Sequence, residues 1–252
     1  MTDAGPAPLP PVTERLAGRV VVVTGATGIA AAAAERIAAE GARVFVVART
    51  EANAASVAAG IRAAGGHAEH RAADLSDERA AIDAVAAARE AFGGRIDGLF
   101  AVAGGSGRRL GDGPAHEVSL EGWDATFRIN AIPAFLAARE VLRAMLDQAP
   151  NATGTRGSIL LMSSVLSVSP SPTLFATHAY AAAKAAIAGF ARTTAAYYAP
   201  HGIRVNAIAP ALVATPMAER AATDPATVAY AARKQPLARG LIPPIDVAAA
   251  AA

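Results

Sequence analysis

A doubly wound α/β domain, a parallel sheet carrying helices on both faces, is the fold predicted by this chain of 252 residues. Three observations predict it. Short runs of β-branched residues recur along the chain, longer alanine-rich stretches with helical spacing separate them, and glycines or capping residues mark the junctions. Strands that are apolar throughout, rather than alternating, belong to a parallel sheet buried on both sides.

The elements follow in order. Residues 19–24 (RVVVVT) read as a buried strand, 29–40 as a helix ended by Gly41, and 42–47 as a second strand. Residues 51–64 form the next helix, stopped by Gly65-Gly66. The third strand, 67–73, carries enough polar residues to need one exposed face. Residues 77–92 are helical, with Ser76 or Asp77 as N-cap, and 97–103 give a fourth strand. A long helical region covers 119–146, residues 157–163 (GSILLMS) are the fifth strand, 178–198 are helical, and 203–208 are the sixth strand. This is a Rossmann-type pattern in a single domain over 16–252, preceded by a flexible tail over 1–15. Ligands of such sheets bind beyond the carboxyl ends of the strands, where the strand order reverses.

Composition narrows the function. Apolar residues make up 53% and charged residues 17%, so a packed core is expected. The formal charge is +2, with one adjacent arginine pair, Arg108-Arg109, and no basic run interleaved with aromatics, which disfavours nucleic acid. Without cysteine there is no thiolate chemistry, and the five histidines show no zinc spacing, so no metal is expected. The start of the chain lacks the basic and apolar regions of a signal peptide, and no apolar stretch is long enough to span a bilayer. A cytoplasmic protein with no membrane partner is expected.

Only two lysines occur, Lys184 and Lys234, and Lys184 stands four residues after Tyr180 on a helix. Residues four apart share a helical face, so the ammonium is expected beside the phenol, lowering its pKa. A tyrosine tuned this way exchanges protons near neutral pH. Directly after the first strand, Thr24-Gly25-Ala26-Thr27-Gly28-Ile29-Ala30 opens a helix. Glycines there let the backbone approach a pyrophosphate, with Gly25, Thr27, Gly28 and Ile29 as the contacting residues. The second strand ends Val47-Ala48-Arg49-Thr50, with an arginine where an NAD-selective site usually places a carboxylate. A guanidinium suits a 2′-phosphate, so NADP(H) is favoured over NAD(H).

Together these residues resemble the short-chain dehydrogenase/reductase family in its common one-domain form, from about residue 16 to the end. Tyr180-x-x-x-Lys184 is similar to that family's catalytic pair, and Ser164, second of Ser163-Ser164, to its serine. Asn130 matches the helix asparagine of a proton relay, which the resemblance has holding a water that links Lys184 to solvent. Asp74-Leu75 is similar to the pair that contacts adenine, and Ala103-Gly104 to the turn after the fourth strand. Val205 to Pro210, then Val213 and Thr215-Pro216-Met217, resemble the segment that covers the nicotinamide.

The resemblance implies an NADP-dependent oxidoreductase moving a hydride between cofactor and a carbonyl or alcohol. Tyr180 is its general acid, Ser164 its donor to the substrate oxygen, and Lys184 its ribose contact. It also implies a homo-dimer or homo-tetramer. Residues 210–240 read as a mobile lid with two proline-bounded helical pieces. Three departures stand out. The glycine loop is one residue short, with Ala30 or Ala31 for its third glycine, so alanine is expected to crowd the helix against the strand or the cofactor; the two asparagines usual before Ala103 are Ala101-Val102; and the family's last strand and C-terminal segment do not follow, so either the sequence is truncated or the protein is expected to lack an edge strand and part of the common oligomer interface. A non-catalytic dinucleotide-binding or scaffold protein of the same fold is the alternative reading, and a sugar-nucleotide epimerase with Gly25-x-x-Gly28 spacing a further one.

Overall fold

A computed structural model describes residues 14–252. Most of the expected tail lies outside the described residues. Six strands form one parallel sheet in the order β3-β2-β1-β4-β5-β6. They are β1 (Val20–Thr24), β2 (Arg43–Ala48), β3 (His67–Ala72), β4 (Gly98–Ala101), β5 (Gly157–Met162) and β6 (Ile203–Ile208). Between and after them lie α1 (Ile29–Ala39), α2 (Glu51–Ala63), α3 (Glu78–Ala91), α4 (Leu120–Asp147), α5 (His178–Tyr198), α6 (Glu219–Thr223), α7 (Pro225–Lys234) and α8 (Pro244–Ala251).

Alternation along each strand splits the core in two. From β1 and β2, Val22, Phe45 and Val47 face one side, packed with Val85, Leu136, Val141 and Ile187 of α3, α4 and α5. Val21, Val23, Val44 and Val46 face the other, packed with Ile37, Val57 and Val247 of α1, α2 and α8. The doubly wound fold thus follows from unbroken β-branched runs, which have an apolar side chain for each face. On β3 only Ala68 is buried, as its polar sequence requires of an edge strand. The expected N-cap Asp77 accepts from Ala80 N at 2.7 Å, and Ser119 caps α4 through Gly122 N at 3.0 Å. Strand β4 is shorter than expected: Val102 and Ala103 leave the ladder to donate to the Thr24 hydroxyl, both at 3.1 Å. This pair of bonds ties the ends of β1 and β4 together where the strand order reverses.

Glu40, at the C-terminus of α1, has no exposed side-chain surface and accepts from Arg15 at 2.6 and 2.7 Å and from Arg36 at 2.6 Å. The Arg15 hydrogen bond is the main cause holding its carboxyl below the usual range, against the opposing effect of burial. A depressed carboxylate stabilises the fold above its unfolded value and loses that contribution as pH falls through the folded one. Glu40→Ala is expected to destabilise the protein by about 1–2 kcal/mol near neutral pH, chiefly because the largely covered Arg36 loses its partner while the half-exposed Arg15 turns to solvent. Urea unfolding of Glu40→Gln beside the parent at neutral and acid pH checks this. The difference should shrink once Glu40 protonates.

Candidate active site

A cavity of about 810 Å³ opens at the carboxyl edge of the sheet, at the β1/β4 reversal, where ligands of such sheets bind. Nearly all the residues singled out in the sequence meet on its wall. Gly25, Thr27 and Ile29 come from the β1–α1 turn, Arg49 from the end of β2, and Asp74 and Leu75 from the end of β3. Ala103 and Gly104 follow β4, and Asn130 lies on α4. Ser164 follows β5, Tyr180 and Lys184 lie on α5, and Pro210, Val213 and Thr215 follow β6. Gly28 sits behind the wall.

The glycine loop is shaped for close approach. Gly25 has φ +97° and Gly28 has φ +55°, values that L side chains rarely adopt. A Cβ on Gly28 would meet Thr215 Cγ2 at 2.8 Å, so the segment after β6 lies directly over the turn. Ala30, one of the two alanines at the third-glycine position, is buried against the turn. Its methyl is buried in the space Gly25 leaves free, 3.0 Å from where a Gly25 Cβ would stand. Among the described residues no side chain caps α1, and of its first three amides only that of Ala30 is engaged, by Thr27 O at 3.2 Å, which leaves those of Ile29 and Ala31 to a phosphate at the cavity wall. The residues present therefore fit a dinucleotide. Asp74 accepts from Ser76 N at 2.9 Å, and this bond is the main cause holding its carboxyl below the ordinary range, with Arg49 and Arg128 contributing.

Lys184 and Ser163 stitch α5 to the end of β5. The ammonium donates to Met162 O at 2.9 Å, and the Ser163 hydroxyl donates to Lys184 O at 2.8 Å. Ser163 is thereby committed to structure, whereas the Ser164 hydroxyl accepts from Leu166 N at 3.2 Å and stands close enough to the Tyr180 phenol to act on its pKa. Lys184 is 3% exposed, has no carboxylate partner among the described residues, and is pushed down to about 8 by burial. The Tyr180 phenol departs from the sequence expectation. Burial raises it above its ordinary value, with the Ser164 hydroxyl opposing. The reason is geometric: the ammonium stands 5.7 Å from the centre of the tyrosine ring and spends its hydrogen bond on Met162 O.

Asn130 is fully buried, and its side chain accepts from Gly105 N at 3.1 Å while donating to Gly105 O at 3.0 Å and Thr126 O at 2.9 Å. With these bonds its amide clamps the loop after β4. Gly104 lies between it and the lysine: a Cβ there would stand 2.6 Å from Asn130 Oδ1 and 3.5 Å from Lys184 Nζ. The 210–240 region holds α6 and α7, and Gln235 pins its start by accepting from Leu212 N at 2.6 Å and donating to Leu212 O at 3.1 Å.

Sequence reasoning missed Asp112. Its buried carboxylate accepts from Ala179 N at 3.0 Å and Tyr180 N at 2.9 Å, capping the helix that carries Tyr180 and Lys184, whose own N-cap residue Thr177 turns its hydroxyl to Phe175 O and makes no capping bond. No local pattern could reveal a cap supplied from 67 residues away. Asp112→Ala is expected to lower stability by about 1–2 kcal/mol and to reduce turnover more than cofactor affinity. Asp112→Asn, which keeps one acceptor, should recover most of both. Thermal melts and kcat for the pair of variants check it.

Among the described residues no helix is long and apolar enough to cross a membrane. The family model for short chain dehydrogenases matches residues 19–226. The short-chain reductase protein NovJ of Streptomyces niveus is 41% identical over 235 residues, 91% of this chain and 84% of NovJ. Glucose 1-dehydrogenase of Gluconobacter oxydans is 35% identical over 209 residues, 82% of this chain and 74% of that enzyme. The crystal structure of a levodione reductase superposes with a TM-score of 0.82 at 30% identity, covering 94% of this chain and 90% of that one. A Beutenbergia cavernae protein, provisionally assigned as an NAD(P) dependent gluconate 5-dehydrogenase and crystallised with NADP at low occupancy, gives 0.80 at 35% identity, covering 96% and 90%. With its reversal-point cavity and these relatives, the chain belongs to the short-chain dehydrogenase/reductase family and is an NAD(P)-dependent oxidoreductase of CH–OH and C=O groups.

Proposed function

We propose that this protein is an NADP(H)-dependent carbonyl reductase or alcohol dehydrogenase in which Tyr180, Ser164 and Lys184 perform the acid–base work. One observation carries the reading: these three side chains come from two separate elements to the same cavity wall as the glycine turn. Gly25, Thr27 and Ile29 would hold the pyrophosphate, Arg49 the 2′-phosphate, and Asp74 and Leu75 the adenine. Ala103, Gly104, Pro210, Val213 and Thr215 would hold the nicotinamide half. When bound, the nicotinamide supplies or takes up the hydride. Arg49 on the cavity wall, with no carboxylate at the end of β2, supports NADP, and the bound NADP of the Beutenbergia cavernae relative accords with it.

In the reductive direction Tyr180 donates its phenolic proton to the oxygen that becomes the alcohol, and in the oxidative direction it accepts that proton. A phenol held above its ordinary value stays protonated, which suits the donor role. Ser164 donates to the same oxygen, stabilising the charge that grows there. The Lys184 ammonium would favour the phenolate left by proton transfer and, with a further N–H, would hydrogen-bond the cofactor ribose. Asn130 and Asp112 hold the two segments that frame these groups. Reaction in ordinary water with NADPH deuterated at the transferring position of C4, against a panel of ketones, tests the assignment. Deuterium at the carbinol carbon is expected, and loss of reduced cofactor without a deuterated alcohol contradicts it.

A homo-oligomer and a cytoplasmic site complete the reading. The half-exposed Trp123, Ile132 and Phe135 of α4 support the first. The second accords with the intracellular pool of reduced nicotinamide dinucleotides.

A further inference from the structure

Beyond Ser164 and Tyr180, the cavity wall carries cations from three segments. Arg108 comes from the 3-10 turn Gly107–Leu110, Arg220 from α6, and Lys234 from the end of α7. Among the described residues, none of the three has a carboxylate within ion-pair distance. Carboxylates nearby are committed elsewhere. Asp112 caps α5 through two backbone amides, and Asp224 caps α7 by accepting from the backbone and hydroxyl of Thr227. Lys234 donates to a neutral partner, the Ser169 hydroxyl, at 2.7 Å.

The two arginines feel each other: Arg108 is pushed below its ordinary value by burial first and by Arg220 second, with Asp112 opposing. Both guanidiniums are solvent-exposed and feel Asp112 and Asp224 only at longer range, so among the described residues neither is bonded to a carboxylate, and guanidiniums suit the planar oxygens of a carboxylate or phosphate. Arg49 lies at the end of β2 and is assigned to the cofactor, so it does not account for this group.

We propose that the substrate carries an anionic group, a carboxylate or phosphate, in addition to its reacting carbonyl or alcohol, and that Arg108 and Arg220 hold that group between the loop after β4 and α6, with Lys234 adding a third charge. This rests on the oxidoreductase reading, which puts the reacting oxygen at Tyr180.

The test is thermal stabilisation of the NADPH-saturated protein by inorganic phosphate and, separately, by acetate, each at ionic strength matched with sodium chloride. Saturation with NADPH keeps the anions out of the cofactor's own phosphate positions, and specific binding gives a saturable rise in Tm. At least one anion is expected to stabilise the parent. Its dissociation constant should rise at least about tenfold in Arg108→Gln/Arg220→Gln, and stay unchanged in Arg233→Gln, on α7 but outside the cavity. A response to phosphate alone identifies a phosphate group, and one to acetate a carboxylate. No response to either anion, or one that survives in the double variant, overturns the proposal. Should NADPH fail to bind, the titrations are run on the protein alone. A response lost in the double variant then supports the anion site while the cofactor reading fails, and one lost only in Arg49→Gln overturns it.

Discussion

Tyr180→Phe is expected to lower turnover by about 10²–10⁴-fold, the range for loss of a positioned acid or base. Its affinity for NADPH should stay within roughly twofold, because the change removes a group used in the transition state rather than in binding. The substitution is narrow. Phenylalanine keeps the ring that faces the Lys184 ammonium at 5.7 Å and keeps the packing around it. Only the hydroxyl, with its influence on and from Ser164, disappears. Stability should therefore change little, and steady-state kinetics beside a cofactor titration separate a chemical defect from a binding one. A variant with near-parental kcat would remove Tyr180 from the chemistry.

Lys184→Met is expected to abolish turnover and yet stabilise the fold. The lysine has an apolar stem, 3% exposure and, among the described residues, no carboxylate partner. Moving it from its ordinary 10.5 to about 8 disfavours the ammonium by about 3 kcal/mol. Part of that is offset by the hydrogen bond to Met162 O, so methionine should gain on the order of 1–2 kcal/mol. For a chain of this size, each kcal/mol is about 2–4 °C in Tm. The pH dependence has a definite sign. Above about 8 the folded lysine has lost its proton while the unfolded one keeps it up to 10.5. Parental stability therefore rises with pH across that window, and the advantage of methionine is largest below it and shrinks through it. Parental turnover should fall as pH rises through about 8, where the ammonium is lost. Melts of both proteins across this range, with kcat measured alongside, check stability and function in one series.

What was legible in the sequence was what local chemistry dictates. The β-branched runs of β1 and β2 have side chains for both faces, so they declared a sheet covered twice. The polar β3 announced its edge position. Tyr180 and Lys184 share a helix, and the glycine turn follows its strand, so each could be found within a few residues. Features that depend on tertiary approach were hidden. Asp112 caps α5 from across the fold, Thr24 receives the amides of Val102 and Ala103, and Asn130 clamps Gly105 through a loop 25 residues upstream. The direction of the Tyr180 shift was misjudged for the same reason. Helical spacing brings lysine and tyrosine together, but only packing decides which atom the ammonium faces and how much water is removed.

The cofactor site is the centre of the account, and a fluorescence titration of the purified protein with NADPH and, in parallel, NADH tests it most directly. Tight NADPH binding is expected with NADH much weaker, and Arg49→Ala should narrow the gap by weakening NADPH while leaving NADH unchanged. Binding of neither dinucleotide would contradict the cofactor assignment of this cavity, and NADH bound more tightly than NADPH would contradict the role given to Arg49.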